Sequence, residues 1–124
     1  MEARHLTTEE LMAGLPEICQ SPADNGELLM ISRRPAIGER DLLDEGQLDL
    51  KEGLVGDNWI NRGQSSNPPR DPNPEAQLTL MNSRAADLIC LNKDRWPLAG
   101  DQLYVDLDIG PDNAPAGTRL QIGE

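Results

Sequence analysis

Gln102-Leu103-Tyr104-Val105-Asp106-Leu107-Asp108-Ile109 alternates in a way that decides the fold class: Leu103, Val105, Leu107 and Ile109 share one face of an extended chain, and Tyr104, Asp106 and Asp108 share the other. A strand is expected here, with its aliphatic face on a core and its aspartate face toward water. Downstream, the turns Gly110-Pro111-Asp112-Asn113 and Ala114-Pro115-Ala116-Gly117 lead to Thr118 to Ile122, where Leu120 and Ile122 alternate with Arg119 and Gln121. That pattern predicts a second strand, which has just begun where the sequence stops at Gly123 and Glu124.

Working upstream, Gln77 to Met81 also alternates at period two, and Asn82 or Ser83 can cap a short helix through Arg84 to Cys90. The apolar run Leu28-Leu29-Met30-Ile31, closed by Pro35, predicts a buried strand over Glu27 to Arg34. Thr7-Thr8-Glu9-Glu10 has the form of a capping box and starts a helix with Leu11, Met12 and Leu15 on one stripe, which Pro16 is expected to end. Asp41 to Gly53 mixes leucine with acid, and its period suits a short strand at Leu48 and Leu50 or a helix face through Leu43 and Leu50. Asn61 to Glu75 is rich in proline, serine and asparagine and reads as a loop. The expected organisation is one domain over 1–124: an N-terminal helical segment 1–25, a Pro-rich loop 61–75 and the best-defined strands within 77–124. The fold class is mainly β with short helices.

Composition agrees. The 124 residues hold eleven Gly and ten Pro, which cut the chain often, and Trp59, Trp96 and Tyr104 are the only aromatics, so the core must be largely aliphatic. A formal charge of −11 repels phosphate backbones and argues against nucleic acid as a partner. No apolar run is long enough to span a bilayer, and Met1 to Thr8 lacks the apolar core of a signal peptide, so a cytoplasmic location away from membranes is expected. Cys19 and Cys90 are then expected to remain reduced and separate.

Candidate chemistry is sparse. The single histidine, His5, lies close to the N-terminus, which argues against a zinc site. Asp101, Asp106 and Asp108 can be written as a cation site or an acid/base pair, but strict alternation explains Asp106 and Asp108 as a solvated strand face. Neither cysteine has a local cation or histidine to activate it. The glycines of Gly53-Leu54-Val55-Gly56-Asp57 permit a tight turn but lack the spacing of a phosphate-binding loop.

Taken together, three stretches carry a resemblance: Gly53-Leu54-Val55-Gly56-Asp57-Asn58-Trp59, Gln77-Leu78-Thr79-Leu80-Met81-Asn82, and Ala99 to Ile109 continuing through Ala116 to Glu124. In this order the chain resembles a MOSC domain, the module at the C-terminus of molybdenum cofactor sulfurases, over roughly Gly53 to Glu124 and more weakly from Gly26. The resemblance implies a barrel-like β fold in which a cysteine carries sulfur as a persulfide to a metal–sulfur cofactor, and it implies the molybdenum cofactor as ligand. Asp57, Gly100, Asp101 and Gln102 match its motif positions and are the candidate cofactor-binding residues, with turn formation as their simpler role. The family's sulfur-carrying cysteine lies beyond the block that ends at Glu124, so no catalytic residue is implied here. The expected protein is a truncated, non-catalytic MOSC-like module, a partial β-barrel completed by dimerisation through an open sheet edge. The alternative is a sulfur carrier or cofactor-binding module that uses Cys19 or a cysteine from another chain.

Overall fold

The computed structural model describes residues 4–64 and 66–123; expectations touching Met1–Ala3, Ser65 and Glu124 fall outside them. The strand at the centre of the opening stretch, β6 (Leu103–Asp106), is an interior strand of a four-stranded sheet ordered β2-β1-β6-β5. On one side it pairs antiparallel with β1 (Glu27–Arg33), Met30 opposite Tyr104 and Ile31 opposite Leu103. On the other it pairs parallel with β5 (Leu80–Asn82), Met81 opposite Tyr104. β2 (Asp41–Leu43) borders β1, and β3 (Leu48–Asp49) and β4 (Gly53–Leu54) form a separate two-stranded hairpin.

A parallel pair needs a crossover, here α2 (Ser83–Cys90) followed by a 3-10 segment over Lys93–Ala99. Asn82 caps α2 as its pattern foretells, its side-chain oxygen accepting from Ala85 N at 2.9 Å. The fold is therefore mixed α/β around a small sheet, and among the described residues the strands do not close into a barrel.

Helix α1 (Thr8–Ile18) packs on α2 and does start at a reciprocal capping box: Glu10 N donates to Thr7 Oγ1 at 3.2 Å, and Thr7 N to Glu10 Oε1 at 3.1 Å. The bond from the Thr7 backbone is the main reason the Glu10 carboxyl lies below its ordinary range. Gly14 lies flush against Leu88, where a Cβ would collide with the leucine side chain. Arg84 donates to the Glu17 carbonyl at 2.9 Å, so α1 and α2 run antiparallel and Cys19 and Cys90 fall near opposite ends of the pair.

Several expectations need correction. Tyr104 does not face water: α2 and the 3-10 segment cover that side of the sheet, and Tyr104 is 0 % exposed in a cluster with Met30, Ala86 and Trp96. The strand is shorter than the alternation. It ends at Asp106, opposite Glu27 where β1 begins, and Leu107 to Ile109 have no ladder partner. Helix α1 runs through Pro16 to Ile18; proline removes one backbone donor, and Cys19 N still closes the last turn on the Leu15 carbonyl at 3.0 Å. In β1 only Met30 to Ser32 are buried; the register against β6 shifts between Leu28 and Met30, and Glu27 to Leu29 are exposed. β5 begins at Leu80, since Thr79 is engaged with the Gln102 side chain. Thr118 to Ile122 forms no strand, having no neighbouring strand to pair with among the described residues.

Candidate functional site

Asp57 and Gln102, 45 residues apart, meet under the sheet's β1 end. The Gly53–Gly56 turn delivers Asp57 to the start of a 3-10 turn (Asn58–Asn61), and its side chain is 1 % exposed. Oδ1 accepts from the Arg34 backbone N–H at 2.8 Å, and Oδ2 accepts from Trp59 N at 3.0 Å, Gln102 Nε2 at 3.4 Å and Arg62 Nη2 at 3.5 Å. A buried carboxylate persists only when its lone pairs are met, and here four donors converge on it.

Gln102 extends the network. Its Oε1 accepts from Thr79 N at 2.8 Å and from the Thr79 hydroxyl, while its backbone N–H donates to Thr79 Oγ1 at 3.3 Å and its carbonyl accepts from Ser32 N at 2.8 Å. One aspartate and one glutamine thus tie β1, the 53–62 loop, the approach to β5 and the entry to β6. Gly100, in the left-handed region at φ +92°, ends the 3-10 segment, and a Cβ there would lie 2.5 Å from Arg34 Nη2. The left-handed turn demands glycine, while the flexible Arg34 guanidinium could shift away from a Cβ. Asp101 stands apart, facing Tyr104. Burial first, and then the Asp101 charge, push the Tyr104 hydroxyl up to about 12. That hydroxyl donates to the Trp96 carbonyl at 2.7 Å, and the two rings pack tilted at 5.8 Å.

Of the four expected cofactor-binding residues, Asp57 and Gln102 are in contact, Gly100 adjoins the same network through Arg34, and Asp101 is not joined to it by a hydrogen bond among the described residues. Arg34, through its backbone N–H, together with Arg62 and Thr79 completes the arrangement; a backbone donor leaves no residue-type signal in the sequence.

Two of the remaining candidates are engaged within the protein. Arg84 holds Asp106 through both oxygens, at 2.8 and 3.4 Å, and Asp108 accepts from Gly110 N at 2.9 Å. Cys19 is exposed, Cys90 half-buried against the Tyr104 cluster, and His5 exposed. No group of three His, Cys, Asp or Glu side chains among the described residues can hold a metal. The donor set does not fit a molybdenum cofactor: the polar atoms of Asp57 and Gln102 are spent inside the fold.

The opposite side of the sheet is built differently. Ile31, Leu54, Leu103, Val105 and Leu107 line a cleft of ≈ 1280 Å³, partly covered by Arg119 to Gly123. Its rim bears Asp24, Glu27, Asp44 and Glu45, all exposed. No helix among the described residues is long and apolar enough to cross a membrane. Comparison with models of protein families, with curated proteins and with solved structures finds no match for this chain.

Proposed function

We propose that this protein is a non-catalytic MOSC-like binding module that works in the cytoplasm through the cleft face and the edges of its sheet. The observation that carries this reading is the cleft beside Ile31, Leu103 and Val105: an apolar sheet face that, among the described residues, lacks the layer of helices that covers the opposite face. Large apolar clefts on a small domain mark interaction surfaces. In this reading the sheet is a partial barrel, and a second copy or another chain completes it across the cleft or along the edge strands β2 and β5, each only three residues long.

The engaged state of Asp57 and Gln102 supports a structural role for them, and the surroundings of Cys19 and Cys90 supply no histidine to activate sulfur chemistry. Two measurements test the reading. Incubation with a cysteine desulfurase and cysteine should leave both thiols without persulfide by mass spectrometry; stoichiometric persulfide on Cys19 would make the protein a sulfur carrier. Sedimentation should show association, with a second copy or with another polypeptide, that Leu28→Asp weakens, and a strict monomer that binds no polypeptide would refute the module.

A further inference from the structure

The cleft's chemistry narrows what can fill it. Its floor is aliphatic, which calls for apolar side chains. Its rim carries Asp24, Glu27, Asp44 and Glu45, and none of the four has a cation within 4 Å among the described residues; Arg119 is the one basic residue in the lining. A second copy would bring the same carboxylates and another net charge of −11. Like charges brought together across a shared rim repel one another, and salt screens that repulsion only beyond roughly 8 Å, so a second copy is disfavoured.

The backbone on this face points the same way. Leu120 and Ile122 alternate as in a strand, and Ile122 packs against the Leu103–Val105 cluster. Yet Arg119 to Gly123 makes no backbone hydrogen bond to another segment among the described residues. Backbone donors and acceptors left without a bond to another segment beside an apolar floor are what strand addition uses: main-chain bonds give affinity, and alternate side chains enter the pockets.

We propose that the cleft docks an extended polypeptide segment from a partner chain, with apolar residues alternating with lysine or arginine, which pairs with Arg119 to Gly123 and sets its cations against the acidic rim. This rests on the binding-module reading and names the partner's chemistry.

The probe is a fluorescent synthetic peptide of alternating valine and lysine, compared by anisotropy with valine–glutamate and valine–serine peptides of equal length, using the whole chain. The valine–lysine peptide should bind at least about tenfold more tightly than the valine–glutamate one. The double variant Asp44→Lys/Glu45→Lys should lose about that factor, whereas Asp71→Lys/Glu75→Lys, with the same change in net charge at exposed positions away from the cleft, should lose far less. N-methylation of alternate backbone nitrogens on one edge of the peptide should abolish binding. Equal loss in the two double variants would reduce the effect to net charge and overturn the proposal. Tighter binding of the valine–serine peptide would overturn the cationic partner but leave the binding module standing. Self-association through Leu28 with no peptide bound would likewise sink this inference alone, and a monomer that binds none of the peptides would sink both.

Discussion

The two faces of one sheet differ in how they are closed. On the side of Tyr104, the crossover from β5 to β6 lays α2 and the 3-10 segment over the strands, and Met30, Ala86 and Trp96 seal the ring from water. On the side of Leu103 and Val105, Ile31 and, from the β3–β4 hairpin, Leu54 complete a second buried cluster, while Leu80, Leu107, Ile109 and Ile122 around it remain partly open. The same four-residue strand supplies both faces. The difference follows from topology: a parallel connection must place its linking segment on one face, and the other needs a separate layer.

The largest test of that contrast is truncation on each face. Tyr104→Ala removes a fully buried ring and its bond to the Trp96 carbonyl and should destabilise by about 3–5 kcal/mol in urea unfolding, as for other large aromatics. Leu107→Ala on the half-buried open side should cost about 1 kcal/mol, since less area leaves water there on folding. Similar costs at the two positions would mean that the open face is as well packed as the closed one.

The polar network at the sheet's β1 end comes next. Asp57→Ala leaves the buried Trp59 N–H and the Arg34 N–H without their acceptor and should cost about 3 kcal/mol. Asp57→Asn retains one acceptor oxygen and should cost about half as much. If Asp57→Ala left stability unchanged, the carboxylate would be free for a ligand and the structural assignment of Asp57 and Gln102 would fail.

What the sequence discloses is what local chemistry determines. The Thr7–Glu10 box and the Asn82 cap produce the helices they foretell because each is satisfied within a few residues, and the alternation over Gln102 to Ile109 yields a strand at Leu103 to Asp106 where β1 and β5 supply partners. Whether Tyr104 meets water depends on a helix packed from elsewhere, and period-two patterning cannot distinguish one covered face from two when the second carries a tyrosine and an aspartate paired to Arg84. The strand expected at Thr118 has the right pattern but no partner, and pattern alone makes no ladder. For the site, the motif positions led to Asp57 and Gln102, but the bonds that join them to Arg34, Arg62 and Thr79 span loops and could not be read from spacing.

The closed face also has a pH signature. Tyr104 keeps its proton to about 12 in the folded protein, against 10.0 for an ordinary tyrosine. Between those values the unfolded chain loses a proton that the native state retains, so the native state binds more protons and stability falls as pH rises. The contribution is complete below pH 10 and should decline by roughly 1.4 kcal/mol per pH unit up to about 12. Urea midpoints across this range should drop more steeply in the wild type than in Tyr104→Phe. Parallel curves would place water at the ring hydroxyl and blur the distinction between the faces.

The smallest expected effect is the most discriminating for the open face. Leu120 is 49 % exposed beside the cleft, in a segment that makes no backbone bond to the sheet among the described residues. Leu120→Ser should therefore change the stability of the isolated protein by no more than about 0.5 kcal/mol, less than the roughly 1 kcal/mol expected for removing the helix cap with Thr7→Ala. A loss above about 1.5 kcal/mol would mean that Arg119 to Gly123 already serves as the missing layer, because only a packed leucine costs that much to truncate. The sheet would then have two closed faces, and the cleft would be filled by the chain itself and not by a partner.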